Sequence, residues 1–205
     1  MKIIAKSLVA LFVIASLAFT TFPKKTEKIV TVVVDVSHGG EDTGTSEGTL
    51  IEKEIVQQIA NKMALLSKDA NVQLHFTRTD DSFISLQDRV QFINNLKPDV
   101  VLSLHINDSD NTEISGMEVF FSDQGKQSVL SKKLANSVMN TMKAEGIFET
   151  SKVKSANFYV LKNSEAPAVA VELGFLSNPK DRSILQNDFK QNEIAKVLLV
   201  AISNQ

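Results

Sequence analysis

The chain contains no cysteine, which excludes disulfides, thiolate metal ligands, a cysteine nucleophile and a lipidated cysteine anchor. It also lacks an excess of either charge. Its 22 basic and 24 acidic side chains leave a net −2, which gives no electrostatic ground for nucleic acid or anionic membrane as the main partner. No internal repeat, low-complexity linker or compositional break divides the 205 residues, so one domain with a substantial core is expected. The G-x-x-x-x-G-K-[ST] pattern is missing, which makes Gly39-Gly40 turn glycines rather than a phosphate loop. The G-x-S-x-G elbow is missing too, and that argues against a serine hydrolase despite Ser37 and Ser103 near histidines.

An apolar run of the roughly 20 residues preferred by a membrane span is also lacking. The uncharged stretch from Ser7 to Phe22 is shorter and follows Lys2 and Lys6, as in a secretory signal. Ser16 and Ala18 suit cleavage after Ala18; the alternative is an uncleaved N-terminal membrane anchor flanked by Lys24-Lys25. Residues 1–22 are therefore set apart as signal or anchor, the folded domain is expected over 28–205, and the body is expected to be exported.

What remains alternates between strand and helix patterns. Ile29 to Val36 is a continuous β-branched run of the kind buried on both faces of a parallel sheet. A polar loop follows, then a helix over about 50–67 with Ile51, Ile55, Ile59, Met63 and Leu66 on one stripe. Val72 to Phe76 reads as a strand, Ser85 as the N-cap of a helix ended by Pro98, and Asp99 to Ile106 as another buried strand. Met117–Phe121 and Ala168–Leu173 are further strands, Lys126–Glu145 and the C-terminal segment are helices, and Asn157–Leu161 is expected to be a short edge strand. This is an α/β domain with a mostly parallel twisted sheet of about five to six strands, flanked by helices on both faces.

Four chemistry-bearing residues stand at the mouths of these elements: His38, Glu52, His105 and Glu172. Singly, each histidine has the ordinary explanation of a capping or solvated ring, and Glu52 that of an acid favoured by a helix dipole. Glu172 is harder to dismiss, because it interrupts an apolar strand and would be a desolvated carboxylate needing a partner. In an open α/β sheet all four would face one crevice beyond the carboxyl ends of the strands. Two imidazoles and a carboxylate there make a hydrolytic zinc site with an open fourth position, and a second carboxylate can serve as base. His75, in mid-strand between Leu74 and Phe76, is expected to bind no metal, and Arg78 and Asp80 either pin a turn or touch substrate.

The residues around these four resemble a known family. Asp35-Val-Ser-His-Gly-Gly40, Glu52-Lys53, Ser103-Leu-His-Ile-Asn107 and Val171-Glu-Leu-Gly-Phe-Leu-Ser-Asn178 are similar, in order, to motifs of zinc-dependent N-acetylmuramoyl-L-alanine amidases, which separate stem peptide from glycan in bacterial cell walls. The similarity runs from about residue 29 to 204. It implies one Zn2+ on His38, Glu52 and His105, Glu172 as catalytic base, peptidoglycan as substrate, and a periplasmic or wall-associated location. Asp35 and Asn107 are expected to orient the imidazoles. Ser37 departs from the family, in which glycine usually precedes the first histidine. Metal chemistry alone also admits a zinc peptidase or deacetylase on wall polymer, and a catalytically silent wall-binding relative is the remaining alternative.

Overall fold

The computed structural model describes residues 29–149, 151–203 and 205; the signal or anchor expected over residues 1–22 lies outside them. Strand β1 (Val30–Val36) is followed by a tight loop and a short hairpin of β2 (Ser46–Glu47) and β3 (Leu50–Ile51). Helix α1 (Glu52–Leu66), strand β4 (Val72–Phe76), helix α2 (Leu86–Leu96) and strand β5 (Val100–Asn107) come next. The second half holds β6 (Met117–Phe121), α3 (Ser128–Ala144), β7 (Ser151–Ser155) and α4 (Tyr159–Asn163). It closes with β8 (Ala168–Phe175), α5 (Pro179–Leu185) and α6 (Asp188–Ser203). Local chemistry sets the helix ends. Ser85 Oγ caps α2 by accepting from the Asp88 amide at 3.1 Å, and Lys97 ends it in a left-handed conformation just before Pro98.

One six-stranded sheet runs in the order β4-β1-β5-β8-β6-β7. Neighbours pair in parallel except β6 with β8, which are antiparallel. From β1 the chain crosses to one side to reach β4, then to the other to reach β5. The order therefore reverses between β1 and β5, the place where open α/β sheets bind ligands.

Strand alternation gives the two faces different tasks. Val32, Val34, Leu102, Leu104, Val169 and Val171 pack with α1, α3 and α6 into the main aliphatic core. On the other face Val33 and Val101 lie under α2 and α4, but towards the carboxyl ends the residues become Asp35, Ser103, Ala170 and Glu172. The edge strand was expected in the wrong segment. Residues 159–163 form α4, with Val160 and Leu161 buried, while the edge is β7, Ser151–Ser155. A four-residue apolar run cannot by itself distinguish a helical turn from a strand, and the lysines of β7 are the charges that protect an exposed edge.

Asp35 ties this polar end together and is 1% exposed. Its Oδ1 accepts from Arg89 Nη1 at 2.7 Å and Thr77 Oγ1 at 2.9 Å, and Oδ2 accepts from Ser103 Oγ at 2.7 Å. Burial pushes the carboxyl up, but the charge and hydrogen bond of Arg89, with the Ser103 hydroxyl, outweigh it and hold the pKa below its ordinary value. The group thus contributes stability that is present above an unfolded pKa of about 3.9 and lost as pH falls through the depressed native value. Asp35→Asn should lower stability at pH 7 by about 3 kcal/mol, because the Arg89 charge is left buried and unpaired. It should also flatten the loss of stability below about pH 4. Urea unfolding at neutral and acid pH checks this, and an equally steep acid dependence in the variant would contradict it.

Candidate metal centre

Beyond β1 the chain turns through three consecutive residues of positive φ: His38 at 57°, Gly39 at 126° and Gly40 at 60°. For a histidine this conformation is strained by about 1–3 kcal/mol and persists only where the surroundings enforce it. Two buried arginines do so. Arg78 donates to the carbonyls of Val36 (3.1 Å), Ser37 (2.8 Å) and Lys53 (2.9 Å), while Arg89 donates to those of Val36 (2.6 Å) and His38 (2.7 Å). Arg78 also donates to the Asp80 carbonyl at 3.0 Å, so this pair pins the turn. Gly39 is required by contact as well as by φ, since a Cβ there would stand 2.2 Å from the Ser82 carbonyl oxygen.

Glu52 opens α1, where the helix dipole favours an acid, yet it is only 3% exposed. Its Oε2 accepts from the Thr45 amide at 2.9 Å and its Oε1 from the Ile106 amide at 3.0 Å. The same Oε1 lies 3.0 Å from His38 Nε2 and 3.2 Å from His105 Nδ1. Burial would raise the Glu52 pKa, but hydrogen bonds and charge from His105 and His38 overcome it and hold the carboxyl far below its usual range. For both histidines burial lowers the pKa, and the Glu52 carboxylate more than restores it, helped at His38 by Asp42 and at His105 by the charges of Glu172 and Asp35.

One donor atom from each of His38, Glu52 and His105 lies within 4.8 Å of the other two. His38 Nδ1 is 2.8 Å from Asp42 Oδ1. A carboxylate only accepts, so Nδ1 carries a proton, and Nε2 faces Glu52 either protonated or, where a metal replaces that proton, with its lone pair. Positive charge must lie between the ring nitrogen and the carboxylate, and either that proton or a metal ion supplies it. Tetrahedral zinc with bonds near 2.0–2.1 Å sets its ligands about 3.3 Å apart, close to the separations from Glu52. The donor set fits a divalent metal.

Glu172 is not part of that group of three but stands beside His105 in register across β5 and β8. It is not at the strand end, since β8 continues to Phe175. Burial first, then the carboxylates of Glu52 and Glu118, push its pKa up against the pull of His105 and His38. Glu172, His38 and His105 line a cavity of about 560 Å³ whose outer wall includes Phe83, Leu86 and Phe158. His75 lies in mid-β4 as the register partner of Val33, outside this group.

The residues expected to orient the rings do something else. Asp35 is held by Arg89, Thr77 and Ser103 and reaches His105 only through its charge, while the Asn107 amide donates to Glu118 at 3.3 Å. The left-handed turn swings the His38 ring away from Asp35 and towards Asp42, which sequence reasoning missed. Its one signal is an acid four residues after His38, in a loop closed by reciprocal Gly39–Asp42 backbone bonds. Lys53, noted only as a motif partner, braces the same loop by donating to the Gly40 carbonyl and to Asp81, each at 2.7 Å.

The sequence profile of the family described as N-acetylmuramoyl-L-alanine amidase matches residues 32–204. Over 168 residues the chain is 32% identical to the N-acetylmuramoyl-L-alanine amidase LytC of Bacillus subtilis (strain 168), covering 82% of this chain and 34% of LytC. It is 27% identical to the probable cell wall amidase LytH of Staphylococcus aureus, covering 82% of this chain and 56% of LytH. The chain therefore spans about a third to a little over half the length of these relatives. Among solved structures, the catalytic domain of CwlV from Bacillus (Paenibacillus) polymyxa var. colistinus has a TM-score of 0.79 at 29% identity, covering 85% of this chain and 97% of that one. The N-acetylmuramoyl-L-alanine amidase from Clostridium difficile 630 has a TM-score of 0.78 at 33% identity, covering 86% and 96%.

If Asp42 fixes the tautomer of His38, Asp42→Ala should weaken zinc binding by about 10–100-fold, the range for loss of a partner that orients a ligand. Competition against a chromogenic chelator measures this, with far-UV circular dichroism as a check on folding. Unchanged affinity would remove Asp42 from the account.

Proposed function

The chain belongs to the N-acetylmuramoyl-L-alanine amidase family, and from that premise we propose that it hydrolyses the amide between N-acetylmuramic acid and L-alanine in peptidoglycan. The observation that carries this reading is the convergence of His38, Glu52 and His105 beside a partly buried Glu172 in one cavity. His38 Nε2, Glu52 and His105 Nδ1 would hold one Zn2+. When bound, zinc supplies Lewis acidity for the amide carbonyl and lowers the pKa of a water from roughly 15.7 to about 7.

The protein's own groups do the rest. Glu172 takes a proton from the attacking water and delivers it to the departing alanine amine. Its raised pKa suits both halves of that task, because an acid–base group works best near the operating pH. Asp42 keeps His38 in the tautomer that offers Nε2. Arg78 and Arg89 hold the strained turn, so the site is formed before substrate arrives. We further propose that residues 1–22 direct export, leaving the domain in the periplasm or at the wall, either free or on an N-terminal anchor.

His105→Ala should lose both zinc and activity. Glu172→Gln should retain stoichiometric zinc while its rate falls by about 10²–10⁴, as for removal of a general base. Metal analysis and turnover of purified peptidoglycan separate the two cases. A Glu172→Gln protein without metal, whose activity returned on adding zinc, would make Glu172 a ligand instead. Mass spectrometry of the digest identifies the bond: stem peptides with a free L-alanine amine support the amidase, whereas acetate release or cleavage within the peptide would point to a deacetylase or peptidase.

A further inference from the structure

Strand β8 is irregular just past Glu172. Its register with β5 pairs His105 with Glu172, but the next pair is Asn107 with Phe175, so Leu173 and Gly174 together face Ile106. This is a β-bulge between parallel strands, a setting in which bulges are rare, and beside an active site a bulge re-aims a side chain. Gly174 takes a φ of 82°, and a Cβ there would stand 2.8 Å from Phe148 Cε1 and 3.1 Å from Asp181 Cβ. Pairing resumes beyond it, where the Leu176 amide donates to the Asn107 carbonyl at 2.8 Å. On the other side of β8, pairing with β6 ends at Glu172 opposite Glu118. Past that point a single oxygen bridges the two strands. Asp181 Oδ2 accepts from the Phe175 amide at 2.9 Å and from the Gly116 amide, just before β6, at 2.7 Å.

Asp181 lies in the first turn of α5, where an acid ordinarily sits in solvent and answers the helix dipole. This one is 2% exposed and serves strands outside its own helix. Asn178 locates it: its Oδ1 accepts from the Asp181 amide at 3.2 Å, and its side-chain amide donates to the Thr112 carbonyl at 2.7 Å. Desolvating a carboxyl is costly without partners, and the two amides at the bulge are the partners it has. We infer that Asp181 is a positioning residue for the reaction: by fixing the bulge it aims Glu172 at the metal centre. This rests on the amidase reading, in which Glu172 is the base. His38, Glu52 and His105 come from the loop after β1, from α1 and from β5, and none from β8. Asp181 therefore governs the base without governing the metal. The effect is large, because misplacing a reacting group by about 1 Å can cost about 10²-fold in rate.

Because one oxygen accepts both bonds, Asp181→Asn can keep them and Asp181→Ala cannot. With zinc-loaded protein and purified peptidoglycan, Asp181→Ala should lower kcat by about 10–100-fold while KM stays nearly unchanged. Asp181→Asn should recover most of that loss. Zinc affinity, read by chelator competition, should be the same in both variants as in the unmodified protein. In a Glu172→Gln background Asp181→Ala should lower the remaining rate little further, since residues that act as a unit are not additive. A change that merely loosened the fold would lower both rates by the same factor. Circular dichroism at the assay temperature checks folding, and Gly174→Ala, which strains the same bulge, should repeat the pattern if Asp181→Ala is too unstable to assay. A full additional loss in the Glu172→Gln background, or a zinc affinity that falls with kcat, overturns the inference. Peptidoglycan left intact by the unmodified protein would instead remove the reaction. The crystal structure of Asp181→Ala then reads the positioning alone: the Glu172 carboxylate should shift by about 1 Å, the scale that matters for rate, with His38, Glu52 and His105 in place. An unmoved Glu172 overturns the inference whatever the activity.

Discussion

A carboxylate buried at the head of a helix has to be compensated on every side, and that requirement on Glu52 organises the site. Left alone in a desolvated position it would take up a proton. Instead it accepts backbone hydrogen bonds from Thr45, in the loop before the β2–β3 hairpin, and from Ile106 on β5, and it meets imidazoles from beyond β1 and from β5. Two stretches, the loop after β1 and the end of β5, are thereby drawn to one oxygen pair at the head of α1. Since both carboxylate oxygens are anchored by amides of different elements, the group is located by the sheet and not by its own rotamer.

The second rigid element is the turn that carries His38. A left-handed histidine followed by two left-handed glycines would not hold its shape alone, and Arg78 and Arg89 supply the bonds that keep it. Arg89 also salt-bridges Asp35, which in turn holds Ser103 on β5. The polar scaffold therefore runs from α2 through β1 to β5 beneath the cavity, while the aliphatic face of the same strands packs on α1, α3 and α6. One face of the sheet supplies the core. At the carboxyl ends of its strands the other gives up apolar burial for a hydrogen-bonded floor, and small residues such as Ala170 and Ser103 leave room for a substrate.

Most of this architecture was legible in the sequence because it rests on patterns of fixed period. β1, β5 and β8 are unbroken apolar runs; α1 and α2 have a stripe or a cap; and His38, Glu52 and His105 stand where such elements end. What could not be read depended on direction or on partners far along the chain. Asp42 is one acid in a polar loop beside Glu41, and only the left-handed turn aims the His38 ring at it. Asp35 and Asn107 looked equally placed to hold the rings, but strand alternation and the turn direct them to Ser103 and Glu118 instead. The misplaced edge strand has a similar cause: Phe158 to Leu161 is apolar enough for either structure, and burial of Val160 and Leu161 against the α2 side decides for a helix.

The central claim is that two imidazoles and one acid share a single divalent cation. Anomalous diffraction at the zinc edge, on crystals grown with zinc, tests it most directly. The account predicts one strong peak bonded at about 2.0–2.2 Å to His38 Nε2, a Glu52 carboxylate oxygen and His105 Nδ1. A peak elsewhere, or these three side chains too far apart to contact a common ion, would contradict it.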